Sequence, residues 1–226
     1  PALLAAGALA VVWLLPHLIR RGNLAGQSIP LFWFILAAAI SSLLAFFIFI
    51  PPFREVSRLT NSLSGFVTLL IGVTFYLLAA SWPTTGSRLN FLLRLLNWSA
   101  LPMLAWALAQ SAAWELTNDS YPDWMWNIQR IISSSGALYN WRTTGLAYEP
   151  SWLGHQLVML YLPWWLAAAV QRTSAHRFRL FRMITFEHIL LVLGLVVLYL
   201  SFARGALASF LLMVTFLILK ATFWLI

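Results

Sequence analysis

Residues 187–226 read EHILLVLGLVVLYLSFARGALASFLLMVTFLILKATFWLI, two apolar runs (187–203 and 205–226) with Arg204 alone between them. Each run is close to the roughly 20 residues a helix needs to cross a bilayer. In hydrocarbon every backbone amide must find a partner inside its own segment, so runs of this kind are helices. Barrel strands would be shorter and would alternate in polarity, which these do not. The same pattern recurs upstream at 2–19, 31–50, 65–82, 91–114 and 151–170. Arg20-Arg21-Gly22-Asn23 stops the first run, Pro51-Pro52 the second and Trp82-Pro83 the third. The expected fold is all-α, a polytopic transmembrane helical bundle with about seven spans in this fragment. The chain starts at Pro1 rather than Met and stops inside an apolar run at Ile226. Residues 1–226 are therefore expected to form a single transmembrane domain, the N-terminal part of a longer chain.

Composition agrees. The chain has 226 residues, 62% hydrophobic and 9% charged, whereas a soluble domain is about 45–50% apolar and about 25% charged. A soluble enzyme is excluded, and with no cysteine so is a secreted disulfide scaffold. The net charge of +8 comes from 13 Arg and one Lys, set at the ends of apolar runs. That scatter is not the continuous basic stripe a nucleic acid needs, so no nucleic-acid partner is expected. It suits membrane lipid headgroups or phosphorylated ligands. No HExxH, His cluster or paired-acid motif occurs, so no metal and no other cofactor is expected. A GxxxxGK[ST] phosphate loop is also absent.

Counting arginines in alternate connections sets the orientation. Arg20, Arg21, Arg88, Arg94, Arg172, Arg177, Arg179 and Arg182 fall on one side, expected to be cytoplasmic. Arg54, Arg58, Arg130, Arg142 and Arg204 fall on the other, with Glu55, Glu115, Asp119, Asp123 and Glu149. The connection 115–150 is then extracytoplasmic, and its Trp124, Trp126, Tyr139, Trp141 and Tyr148 suit the membrane–water interface. Within it, Pro122 to Leu138 is expected to form an interfacial helix with Trp124, Ile128, Ile131 and Ile132 on one face.

Three spans enter from that outer face, 65–82, 151–170 and 205–226, each preceded by an arginine: Arg58, Arg142 and Arg204. Arginine beside the positive end of a helix is an arrangement that holds phosphate. If the three ends converge, they form a pocket for a di-anionic group such as a lipid diphosphate. Arg204 lies in a junction with almost no loop, beside Gly205, where a ligand or backbone can approach closely. Arg142 opens a second motif that runs through Gly145 to Glu149-Pro150-Ser151 and His155. Gly145 allows a turn, and Pro150 with Ser151 suits a helix start. Glu149 is a candidate general base or sugar-hydroxyl ligand, or else the ion-pair partner of Arg142. Ser151 and His155 are candidate substrate contacts, and His155 is the one histidine of four on this side. Arg54, Glu55 and Arg58 form a further charged group, at i, i+1 and i+4.

Arg142-x-x-Gly145, closed by Glu149-Pro150-Ser151 and followed by a span, a basic loop, another span and Ser201-Phe202-Ala203-Arg204-Gly205-Ala206, resembles the O-antigen ligase and polymerase superfamily. The resemblance is concentrated in 140–215. It implies a membrane glycosyltransferase of GT-C-like fold that assembles surface polysaccharide at the outer face of the bacterial inner membrane. The donor it implies is a glycan on undecaprenyl diphosphate, and the acceptor a sugar hydroxyl on another lipid-linked glycan or on lipid A core. Arg142 and Arg204 stand where the family places arginines on the donor diphosphate. In the family a larger outer loop follows the equivalent of Arg204, so the catalytic base is expected beyond Ile226 as readily as at Glu149. The alternative is a polytopic solute or ion transporter component, bicarbonate-like. Transporters break their helices and place polar groups near the midplane, whereas here the charges stand at the faces.

Overall fold

The structure, a computed structural model, describes residues 2–21, 28–44, 47, 57–133, 135–176, 178–180 and 184–223. Arg54, Glu55, Pro51-Pro52, Arg177 and Arg182 lie outside the described residues, as do the side chains of Arg21, Arg58 and Arg179.

The described residues are mostly helical. In order come α1 (Ala2–Leu9), a π turn (Ala10–Leu14), α2 (Leu15–Arg21), α3 (Ile29–Leu44), α4 (Arg58–Ser81), α5 (Gly86–Leu116) and α6 (Asp123–Ile132). There follow α7 (Pro150–Gln156), a second π turn (Leu157–Tyr161), α8 (Leu162–Val170), β1 (Arg179–Leu180), β2 (Ile184–Thr185), α9 (Phe186–Leu200) and α10 (Arg204–Phe223). Among the described residues, four stretches are long and apolar enough to cross a membrane: Leu3–Arg20, Leu59–Ser81, Gly86–Leu116 and Pro150–Val170. The expected spans 31–50 and 187–203 are seen as apolar helices of 16 and 15 residues. The expected span 205–226 is seen as α10, 20 residues long and starting at Arg204 itself. Within the expected basic loop after the fifth span, β1 and β2 pair as a short antiparallel hairpin. That hairpin has too few residues to carry a readable alternation.

Two compact units divide the chain, Pro1–Leu89 and Asn90–Ile226. In the first, α1 and its π turn pack on α4, and α3 packs on α4 as well. Ser57 caps α4, its Oγ accepting from the Thr60 amide at 3.3 Å. Ala6, Leu14 and Leu77 are buried, while most apolar side chains of this unit face outward. An outward apolar surface is the expected dress of helices solvated by lipid.

In the second unit α7 packs on α10 and α8 on α9. Met103, Leu104, Leu153, Leu157, Leu162, Trp165, Leu190 and Leu198 fill the core between α5 and these helices. Polar ties lock it at one end. The Glu187 carboxylate is fully buried and accepts from Asn97 Nδ2 (2.9 Å), Ser174 Oγ (2.6 Å) and the Ala175 amide (2.9 Å). The Asn97 carbonyl accepts in turn from the indoles of Trp164 and Trp165. A carboxylate survives burial only with its lone pairs engaged, and here α5 and the loop after α8 supply the donors.

The connection 115–150 folds over the other end. Trp114, Tyr121, Met125 and Leu138 form a smaller apolar cluster there. Its helix is α6, ten residues from Asp123 to Ile132, so the expected Pro122–Leu138 is cut short. Ser133 turns to an extended backbone and Gly136 adopts a left-handed φ of 58°. Met125 and Gln129 point into the protein, while Trp124, Ile131 and Ile132 are exposed and Ile128 is half-buried. The expected apolar face therefore faces away from the protein, as an interfacial helix presents itself to lipid.

Candidate functional site

The site grows out of the corner between α9 and α10. After Leu200 the chain turns through Phe202, which takes a left-handed φ of 49°. Ser201 Oγ donates to the Leu198 carbonyl and accepts from the Ala203 amide. Arg204 is thereby set at the first position of α10, next to its free amides. A cation at that end opposes the helix dipole unless an anion sits beside it. Among the described residues, the Arg204 guanidinium has no hydrogen-bond acceptor and is exposed.

Arg142 is brought to the same corner by the loop 139–149. Its Nε donates to the Ser201 carbonyl at 3.2 Å, and the next amide, of Thr143, donates to the Leu200 carbonyl at 3.1 Å. Arg142 thus caps the C-terminal end of α9, where a cation is favoured. Its two terminal nitrogens remain without a protein partner among the described residues. The loop itself hangs on a buried amide cluster. Gln110 Oε1 accepts from the Thr144 and Gly145 amides at 2.8 and 3.0 Å. Gln129 Oε1 accepts from the Trp106 indole at 2.8 Å and from Gln110 Nε2 at 3.1 Å, while Gln129 Nε2 donates to Thr144 Oγ1. Gly145 holds φ at 53°, and a Cβ there would come within 3.2 Å of the Met103 carbonyl. Only glycine fits that turn without strain.

The third wall is α7. A Cβ on Gly154 would lie 2.6 Å from that of Ala203 and 2.7 Å from that of Ala206, so the two helices touch backbone to side chain. The result is a cleft of about 410 Å³ lined by Arg142, Ser151, His155, Phe202, Arg204 and Gly205. A Cβ on Gly205 would meet nothing within 4 Å, so that residue lies open to the cleft. Ser151 and His155 also border a second, mostly apolar groove of about 660 Å³ with Tyr148, Trp152 and Met159. The two cavities share Ser151 and His155 of α7 in their walls.

His155 Nδ1 lies 2.7 Å from the Ser151 carbonyl. A carbonyl can only accept, so Nδ1 carries the proton and the neutral ring keeps its Nε2 lone pair free. Glu149 engages a hydroxyl rather than the Arg142 guanidinium. Its Oε2 accepts from Ser151 Oγ at 3.0 Å, and the Arg142 Nε is spent on Ser201. Glu149 itself is not among the residues that line the cleft, and Ser151, which does line it, is its hydrogen-bond partner.

Of the residues expected from sequence, the structure gathers Arg142, Arg204, Gly205, Ser151 and His155, with Gly145 shaping the loop behind them. Arg58 opens α4 in the other unit, its side chain outside the described residues. Gln110, Gln129 and Thr144 were not legible beforehand. A glutamine inside an apolar run marks a buried polar contact, but its partner comes from a segment 19 or 34 residues away. No group of three or more His, Asp or Glu able to hold a metal occurs among the described residues. The chain matches no family model, no curated protein and no solved structure.

Proposed function

We propose that the chain is the donor-binding part of a membrane glycosyltransferase, transferring glycan from a lipid-diphosphate carrier to a sugar hydroxyl. One observation carries this: two guanidinium groups without a protein anion among the described residues, Arg142 and Arg204, share a cleft whose Ser151 and His155 also border an apolar groove. A prenyl diphosphate has the same two parts, a di-anion and an apolar tail. In the reaction the anomeric carbon–oxygen bond to the diphosphate breaks, and its electron pair leaves with the phosphate oxygen. The acceptor hydroxyl forms the new glycosidic bond and gives up its proton. Arg142 and Arg204 stabilise the charge that grows on the leaving diphosphate. His155 Nε2 is the group in the cleft able to take the proton, while Ser151 and the Trp152 and Tyr148 rings hold donor and acceptor in place. The resemblance in 140–215 favours the same class, with undecaprenyl as carrier, in the bacterial inner membrane with this face outward.

Expression of the full-length protein with Arg204→Ala, in a strain lacking its own copy, tests it. The expected result is lost surface polymer and accumulated undecaprenyl-linked repeat units at unchanged protein level. Arg142→Ala behaves alike, and lysine restores either only in part because it lacks the bidentate fork. Unchanged glycans in both the variant and a full deletion would reject transfer and point to solute carriage.

A further inference from the structure

A second cationic cavity lies within the first unit, Pro1–Leu89. It measures about 300 Å³, the lower end of the size range of ligand pockets, and is lined by Trp13, Pro16, His17, Arg20, Ser81, Thr84 and Arg88 among others. It sits where α2 and α4 end and α5 begins, the level at which apolar spans give way to headgroups. Three features make it an anion site. First, Arg88 is braced, with Nη1 donating to the Trp82 carbonyl and Thr84 Oγ1 and the guanidinium 5.6 Å above the Trp82 ring. Its Nε and Nη2 have no acceptor among the described residues, and Arg20 has none either. Second, the His17 ring stacks on Trp13 at 4.7 Å, fixing an imidazole in the wall. Third, Ser81 Oγ is buried with no partner among the described residues, on a residue only 7% exposed that lines the cavity. A serine ending a helix normally bonds back to a carbonyl one turn earlier. An orphan hydroxyl in a cavity that two arginines also line fits an incoming acceptor oxygen. Balancing acids are scarce: residues 1–89 contain five arginines and a single acid, Glu55.

We infer that the cavity between α2, α4 and the start of α5 binds a phosphate group, held by Arg20, Arg88 and Ser81. Two sources share that chemistry, an anionic phospholipid headgroup and a soluble phosphate. The test uses the full-length protein in phosphatidylcholine nanodiscs, with phosphatidylglycerol added in one arm and inorganic phosphate in the other. Retained phosphatidylglycerol is counted by native mass spectrometry and phosphate by equilibrium binding. R20Q/R88Q is expected to lose binding roughly tenfold, the loss of at least one charge-assisted hydrogen bond. Ser81→Ala is expected to lose about threefold, as for a weak neutral bond. R130Q/R172Q, which removes two exposed charges elsewhere, should bind as wild type. Loss confined to the lipid arm supports a headgroup site, and loss in the phosphate arm supports a soluble ligand. Equal binding by R20Q/R88Q and wild type in both arms would overturn the proposal, as would equal losses in R20Q/R88Q and R130Q/R172Q. R20K/R88K keeps the charge and should recover most binding, which separates lost contacts from a misfolded unit.

Discussion

Single side chains decide more here than the low polarity of the chain suggests. Gln129→Leu removes an acceptor for Trp106 and Gln110 and a donor to Thr144, all behind the Arg142 loop. Each buried group left unpaired costs about 1–3 kcal/mol. The variant should therefore melt well below wild type and lose donor binding, although it touches no ligand. Circular dichroism melts in detergent would show this. His176 offers a pH test in the loop between α8 and α9. Burial, the larger effect, and Arg94 lower its pKa, while Glu187 pulls it up. With the folded value depressed, the neutral ring is the form the fold prefers. Stability is thus full above the unfolded value of about 6.5 and falls as the pH drops through it toward the folded value. Wild type should lose more melting temperature between pH 7 and 5 than His176→Asn does. Tyr121 contributes nothing in that window, because burial pushes its pKa up to about 12 and its hydroxyl stays a donor to the Tyr139 carbonyl.

At the scale of the element, sequence was a good guide to where helices run and a poor one to what they touch. Apolar run length and the stops at Arg20-Arg21 and Trp82-Pro83 mark helices because hydrocarbon leaves the backbone no other partner. Arg142 and Arg204 could be singled out for a related reason, since charge is scarce in such a chain and its positions stand out. The bond from Arg142 to Ser201 spans 59 residues, and no local pattern encodes it. Nor does a pattern tell that Glu187 is a buried tie rather than a surface acid. Gly154 shows the same limit: it reads as a helix-weakening residue, yet it is what lets α7 meet α10. Gly154→Ala should cost about 1–3 kcal/mol as an overpacked contact. Ala203→Gly with Ala206→Gly in the same chain removes both clashing methyls and should recover part of that loss, and paired denaturation curves would measure both.

For the whole molecule, orientation is the property to test, and the chain is well suited because it contains no cysteine. Single cysteines at exposed Asn127 in α6 and exposed Thr173 after α8 bracket the second unit. A membrane-impermeant maleimide applied to intact cells should label Asn127→Cys. Thr173→Cys should react only after the membrane is opened. The reverse pattern would place the Arg142–Arg204 cleft on the cytoplasmic side, where a lipid-linked glycan of the cell surface does not accumulate. The π turn at Leu157–Tyr161 bears on the unit as a whole as well. An extra residue wound into a helix delays everything beyond it by roughly 100° of azimuth. The span from Pro150 to Val170 is in effect a shaft cut and rejoined out of phase, its upper half keyed to α10 and its lower half to α9. Removing one lipid-facing residue there, Met159, would leave length and hydropathy nearly untouched. It would let the shaft rewind into a plain α-helix, so that only one of its two ends could stay in register. With the heavier α8–α9 packing as the fixed end, Ser151 and His155 would swing away from Arg204, and the cleft would be lost to a change of timing rather than of chemistry.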